Sequence, residues 1–325
     1  MQSPAVPPEL LADLLGAKKN KQIEFVGQLV EALEQVSPNL VPRLDDHPYA
    51  DAIIEGPSAC STLLRLYHSE KDELAKAAIL DAITRINHQD FPTQEVLTSL
   101  EKILSECKSE ILVSAAATAL ASARHESFLE QQKAFLASDS PSQVRISAKL
   151  LGYGRYEPAT AALLTLLQPD NMAVADSVIW ALGEIGHESA LPTLHEMLTA
   201  SVMSEEVLDA MGKIGNLTSV VRVIAILLEG TIQQREKAAQ AFSRIARNND
   251  GQLDDDELQA RSLGLLESLI EKDKSILVRF HCIVTHSILG GHLTSGQIMK
   301  ALGARVSPSR LDSVAGFFAN RGSKV

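Results

Sequence analysis

Apolar positions recur at helical spacing along most of the chain, and one stretch near its middle shows the pattern most clearly. Val174, Val178 and Leu182 fall on one side of a helix. Gly186 then suits the left-handed turn that ends a helix, and Pro192 suits the opening turn of another. A second stripe of leucines follows. The stretch therefore predicts two helices joined by a short turn.

The same pair of helices repeats along the chain. In the first helix of each pair, a small residue precedes a large apolar one, and a small or apolar residue follows three positions later. These leading positions, the register pairs, are Ala82-Ile83, Ala119-Leu120, Leu150-Leu151, Ala181-Leu182, Ala210-Met211, Ala241-Phe242 and, more weakly, Val284-Thr285. Such a period is typical of stacked helical hairpins, each burying its stripe against its neighbours. The sequence predicts an all-α solenoid, a superhelix of about seven hairpins with N- and C-terminal capping helices.

Three regions follow from this pattern. Residues 1–57 contain a tail, two predicted helices and a Pro-rich segment, residues 58–303 contain the repeats, and residues 304–325 contain a capping helix and a tail. The Pro-rich segment, residues 37–57, is either a cover over the end of the solenoid or a binding loop.

Two stretches carry a resemblance to a known repeat family. Ala-Leu-Gly-Glu-Ile-Gly-His-Glu-Ser-Ala-Leu-Pro-Thr-Leu at 181–194 closely resembles the HEAT-like repeat of the phycobilisome-lyase type, and Ala-Met-Gly-Lys-Ile-Gly-Asn-Leu at 210–217 follows it. The match is strong over about 140–230 and degenerate on either side. The resemblance implies an α-solenoid that presents a long curved surface. It specifies a scaffold, and a scaffold does not specify a function.

The amino-acid composition argues against some classes of binding partner. The formal net charge of −11 and the aromatic content of 4% argue against extended contact with nucleic acid or anionic lipid. HEAT-like DNA glycosylases present a basic face lined with aromatics, and this chain departs from that pattern. No run approaches the length of a membrane span, and the start of the sequence has no secretory signal. The three cysteines are far apart and odd in number, which suits a reducing compartment, so we expect a cytoplasmic protein.

The His-Glu dipeptides are the main candidates for metal chemistry. Deoxyhypusine hydroxylase, another HEAT-like protein, binds iron with such dipeptides inside helices. Here His125-Glu126 and His187-Glu188 fall in predicted turns, where Ser127 and Glu130 also fit a capping box. His195-Glu196 lies within a second helix but is alone. With no phosphate loop, HExxH helix or nucleophile elbow either, the sequence predicts no enzyme, no metal and no cofactor. A lyase-like or protein-modifying subunit is the alternative.

An acidic loop, Asn248–Glu257, resembles half of a calcium-binding EF-hand loop. Ala246 stands where the first ligand of such a loop would be, and it offers no side-chain oxygen. The pattern therefore favours a solvated loop that caps the next helix.

Recognition of another protein or peptide is the function that remains. We expect a scaffold or adaptor whose groove is formed by the second helices, around Glu157–Gln168, Glu188–Thr199 and Leu217–Glu229. The residues expected to contribute are His195, Glu196, Arg222, Glu229 and Trp180. Trp180, the single tryptophan, either packs against a neighbouring repeat or serves as an exposed aromatic anchor.

Overall fold

The computed structural model describes residues 59–86, 94–167, 172–253 and 255–302. Within these ranges the chain forms α-helices, three short 3-10 turns and no strand, which confirms the all-α prediction. The helices are α1 Cys60–Ser69, α2 Glu73–Arg85, α3 Gln94–Glu106, α4 Glu110–Ser122, α5 Glu126–Phe135, α6 Pro141–Tyr153, α7 Thr160–Thr165, α8 Ala175–Ile185, α9 Leu191–Thr199, α10 Ser204–Ile214, α11 Val220–Glu229, α12 Ile232–Asn248, α13 Asp256–Lys272, α14 Ile276–Ile288 and α15 Ser295–Leu302. The 3-10 turns, Glu157–Ala159, Glu188–Ala190 and Leu217–Ser219, each precede a second helix.

The helices stack in chain order within each of two compact units, Asp45–Ile214 and the part that begins at Gly215. In the first unit, α2, α4, α6, α8 and α10 pack side by side, with α3, α5, α7 and α9 against them. In the second unit, α12 packs on α14, and α11, α13 and α15 pack against this pair. We call the even-numbered helices from α2 to α14 the A helices and the odd-numbered helices from α3 to α15 the B helices. Because neighbouring hairpins bury their stripes against one another, the fold is the predicted solenoid of helical repeats.

The register pairs lie in the core, as predicted. Ala181-Leu182 of α8 and Ala210-Met211 of α10 are at most 1% exposed. The residues that follow three positions later, Ile185 and Ile214, are only half-buried, so the expectation that they are core was wrong. Each is the last residue of its helix, where the chain turns away from the packed layer.

In α14 the register is shifted by one residue from the predicted pair. Val284 is half-buried, whereas Thr285 and His286 are 0% and 1% exposed. Gly290 has the left-handed φ of 86° and follows Thr285 by five residues, as Gly186 with φ 77° follows Ala181. A histidine thus occupies the position that holds a large apolar residue in the other A helices.

A left-handed residue ends several A helices. Gly186 adopts this conformation after α8, as the sequence predicts. At the equivalent positions after α4 and α6, Arg124 and Arg155 adopt it with φ of 53° and 47°. A side chain in this region costs about 1–2 kcal/mol relative to glycine. The two arginines therefore hold a strained backbone that glycine would relieve.

Residues 1–57, including the Pro-rich segment 37–57, and residues 304–325 lie outside the described residues, so the division into three regions stays a prediction.

In the described ranges, no helix combines the length and the apolar character that a membrane crossing requires.

Candidate partner-binding surfaces

The B helix α11 presents an apolar ridge to solvent. Its buried side carries Val220, Val223 and Leu227. About 105–130° round the helix from this stripe, at about 100° per residue, Val221 is 63% exposed and Leu228 is 54% exposed. Large apolar side chains this exposed, spaced along one helix face, are a feature of interaction sites when they are contiguous.

Charged residues flank this ridge. Arg222 and Glu229 of the predicted set are both exposed, and they lie seven residues apart on the same side of α11. Ala225, between them, is exposed as well. We call Val221, Arg222, Ala225, Leu228 and Glu229 the α11 ridge. Two residues of this ridge, Arg222 and Glu229, belong to the set that the sequence predicts. The exposed apolar pair, Val221 and Leu228, does not belong to that set.

The other predicted B-helix residues lie in the first unit, on α9. Glu196 is exposed and His195 is half-buried, while Leu194 and Leu198 form the buried side of the helix. The four predicted B-helix residues are thus carried by two units, His195 and Glu196 by one and Arg222 and Glu229 by the other.

Trp180 lies on an A helix and packs against the preceding repeat. Its indole covers Gly152 of α6 so closely that a Cβ at that position would lie 2.7 Å from Trp180 Cζ3. The Tyr153 ring meets the indole edge-on, with ring centroids 5.0 Å apart. Trp180 nevertheless remains half-exposed. One side of the ring thus packs on a neighbouring repeat, as the first alternative predicts, and the role of Trp180 as an aromatic anchor stays a prediction.

A partly buried charge cluster adjoins Trp180. Lys213 Nζ of α10 lies 2.7 Å from Glu184 Oε1 of α8 and 2.9 Å from Asp209 Oδ2 of its own helix. These three side chains are 11%, 18% and 19% exposed. The same ammonium lies 5.6 Å from the centre of the Trp180 ring, within the range of a cation–π contact. The cluster ties α8 to α10 at a point where all three charged groups are largely withdrawn from water.

The turn residues form links between consecutive repeats. His125 Nε2 lies 3.3 Å from Glu101 Oε1, and His187 Nε2 lies 3.1 Å from Glu157 Oε1. At the intermediate repeat, the Tyr156 hydroxyl donates to Glu130. That bond raises the pKa of Tyr156 to about 12.

These links pair the histidine of each His-Glu turn with a glutamate from an earlier part of the chain. The His187 Nδ1 accepts from the Ser189 backbone N–H at 3.2 Å, so the imidazole also caps its turn. The predicted capping box at Ser127 and Glu130 is wrong, because the Ser127 hydroxyl bonds to His125 Nδ1 at 3.2 Å instead.

The acidic loop caps α13, as favoured by the sequence. Asp255 is the N-cap residue and accepts from the Glu257 N–H at 2.7 Å. Gln259 Nε2 donates to the carbonyls of Gly251 and Leu289, both at 3.0 Å, which fastens the loop to the end of α14. Hydrogen bonds of Asp255 and Gln259 with the protein backbone thus hold the loop in place.

Among the described residues, no three His, Cys, Asp or Glu side chains gather as metal ligands. Two of the three free thiols are deeply buried. Burial raises the pKa of Cys60 to about 12 and raises that of Cys282 as well. Both are therefore protonated at neutral pH and pack as small apolar side chains.

Comparison with protein families matches residues 133–205, which include α6 to α9, to HEAT repeats. Among solved structures, the chain is similar to an engineered protein whose crystal structure comes from the Northeast Structural Genomics Consortium. That similarity has 16% sequence identity and a TM-score of 0.41, and it covers 99% of this chain and 92% of the other. No curated protein matches the sequence.

The matched residues include Gly152 and Trp180, where α6 and α8 pack closely. The match confirms the resemblance to HEAT repeats, but it does not show that they are of the phycobilisome-lyase type. Residues 133–205 therefore carry HEAT repeats, and the described helices on either side of them follow the same hairpin pattern.

Proposed function

We propose that this chain is a non-enzymatic cytoplasmic adaptor that binds another protein or peptide through its B helices. HEAT repeats generally bind protein partners. The α11 ridge is the observation that carries the proposal here. Val221 and Leu228 hold 63% and 54% of their surface in water on a helix whose other side is fully packed. Covering them with a partner would stabilise a complex by removing apolar surface from water.

The chemistry of the ridge specifies the kind of contact. A pair of branched apolar side chains gives a partner an anchor, and Arg222 and Glu229 offer one charge of each sign at its rim. Rim charges mainly steer association and fix orientation, whereas buried apolar contacts hold the complex. His195 and Glu196 lie on α9, in the other compact unit, and we propose them as polar contact residues there.

The proposal is tested by capture of partners from an extract of the native cell. The variant Val221→Ser/Leu228→Ser should lose a partner that the unaltered protein retains. Leu74→Ser/Ile111→Ser is a matched control, because those side chains are 69% and 51% exposed on other helices. A partner retained by the ridge variant and lost by the control would refute the choice of surface.

A second variant tests the charged rim. Glu196→Lys, Arg222→Glu and Glu229→Lys together should slow association with the captured partner, with a smaller effect on dissociation. Turn variants at His125 and His187 should leave both rates unaltered, because these residues link repeats. If binding survives the triple reversal and is instead lost on deletion of residues 37–57, the Pro-rich segment is the recognition element.

A further inference from the structure

The outer side of α6 carries a second exposed surface, on an A helix. Arg145, Ile146, Lys149 and Tyr153 are all exposed. At about 100° per residue they fall within about 100° of one another around the helix, so they form one face. Ile146 is 58% exposed and Tyr153 is 44% exposed. We call these four residues, with the adjacent Trp180, the α6 face.

The α6 face is basic in a chain whose net charge is −11. Neither Arg145 nor Lys149 forms an ion pair in the part of the chain that the structure describes. One repeat earlier, the equivalent positions on α4 hold Ser114 and Thr118, which are uncharged. On the side of α6 that faces α4, the equivalent positions therefore place no charge against Arg145 and Lys149.

On the other side, α8 contributes two carboxylates, Asp176 and Glu184. Glu184 is paired with Lys213, as is Asp209 of α10. Asp176 is exposed, and the Ser177 hydroxyl donates to its carboxylate at 3.3 Å. Because Lys213 can balance only one of its two carboxylate partners, Glu184 and Asp209, this cluster keeps one negative charge. The positive charge of the α6 face therefore lies on α6 itself, which holds Arg145 and Lys149 and no acidic residue.

Trp180 adds a donor and an aromatic edge to this face. Its indole N–H donates to no group among the described residues, and the ring is half-exposed. Tryptophan and arginine are enriched where interfaces concentrate their binding energy. An indole N–H and two cations suit carboxylate oxygens, while Ile146 and the aromatic rings suit an apolar side chain.

We propose that the α6 face docks an acidic peptide segment that carries an apolar anchor residue. Nucleic acid fits this face less well, because two unpaired cations neutralise few phosphates and Asp176 repels them. The α6 face and the α11 ridge belong to different helices and to different compact units, so this proposal does not depend on the function proposed for that ridge.

The test begins with selection of binders from a library of random displayed peptides against the full chain. The enriched peptides should be rich in Asp and Glu around one large apolar residue. Binding is then measured by the fluorescence of Trp180, which reports from the site itself because it is the only tryptophan. Arg145→Glu/Lys149→Glu should weaken the selected peptides about tenfold or more. Ile146→Ser should weaken them without a change in the salt dependence.

Two controls make the outcome decisive. Arg65→Glu/Lys102→Glu changes the net charge equally at exposed positions on α1 and α3, and it should leave affinity unaltered. Val221→Ser/Leu228→Ser should also leave it unaltered, which separates this site from the α11 ridge. No enrichment of acidic peptides, equal weakening by both charge reversals, or equally tight binding of a single-stranded oligonucleotide would each overturn the proposal.

Discussion

Two glycines of the A helices should resist replacement by alanine, against the intrinsic preference of a helix. Gly152 and Gly183 occupy equivalent positions of α6 and α8, where each helix meets the next. A Cβ at Gly183 would lie 2.8 Å from Ala210 Cα and 3.0 Å from its Cβ. A Cβ at Gly152 would lie 2.9 Å from Ala181 Cα. In both cases the obstacles include backbone, with the Trp180 ring as a further obstacle at Gly152, so α8 or α10 would have to move.

The magnitudes favour destabilisation. Alanine is better than glycine inside a helix by about 1 kcal/mol. Overpacking a filled core costs about 1–3 kcal/mol, and an obstacle made of backbone favours the upper part of that range. Gly183→Ala should therefore lower the free energy of unfolding by about 1–2 kcal/mol. Moving α10 outward would also lengthen the contact between Glu184 and Lys213.

Gly264, in the exposed middle of α13, is the matched control. A Cβ there meets nothing within 4 Å, so Gly264→Ala should raise the free energy of unfolding by about 0.5–1 kcal/mol. Denaturant unfolding followed by circular dichroism gives the comparison, and Trp180 fluorescence follows the first unit separately. A Gly183→Ala protein as stable as Gly264→Ala would refute the reasoning from close helix approach.

Further predictions concern turns, pH and metal. Gly186→Ala should cost about 1 kcal/mol, while Arg155→Gly at the equivalent turn should not destabilise the protein, as measured by denaturant unfolding. Burial, with Arg244 and nearby cations, lowers the pKa of His281 to about 3. Below about pH 6.5, His281 therefore binds a proton in the unfolded chain but stays neutral in the folded chain. Its neutral form thus costs no stability above that pH, and stability decreases as the pH falls below it. Unfolding free energy should fall by up to about 1.4 kcal/mol per pH unit from pH 6.5 towards 3, and His281→Gln should flatten this slope. Chelator or added calcium should leave the melting temperature unchanged, and a calcium-dependent rise of several degrees would make the Asn248–Glu257 loop a metal site.

The hairpin repeat could be predicted because its cause is local. A leading residue beside a large apolar one recurs in the A helices from α2 to α12, and after α8, α10 and α14 a glycine follows the leading residue by five positions. The one-residue shift of the register in α14 could not be predicted from residue type, because the position of a large apolar residue is occupied there by the polar but buried His286. Gly290 does indicate the shifted register in the sequence, since it follows Thr285 by five residues, as Gly186 follows Ala181.

The surfaces were harder to predict, because they depend on which repeats are neighbours. The link between Glu184 and Lys213 joins equivalent positions of successive repeats, so it is visible once the repeats are aligned but absent from either helix alone. The exposed side of α6 likewise follows from its register, yet its positive charge stands out only against the uncharged side of α4. For α11, Val221 and Leu228 look like core residues by type, and only the packing of its other side shows that they face water.

The contacts around Trp180 give the repeats a fixed order. A solenoid can in principle lengthen by duplicating a unit. If the α8 repeat were copied in tandem, the second tryptophan would find a glycine beneath it, because Gly183 matches Gly152. The first Glu184 would then face the second Glu184 where Lys213 now stands, and two partly buried carboxylates would repel each other. Growth of this protein by simple tandem duplication is therefore disfavoured at this repeat unless a lysine is acquired in the same event.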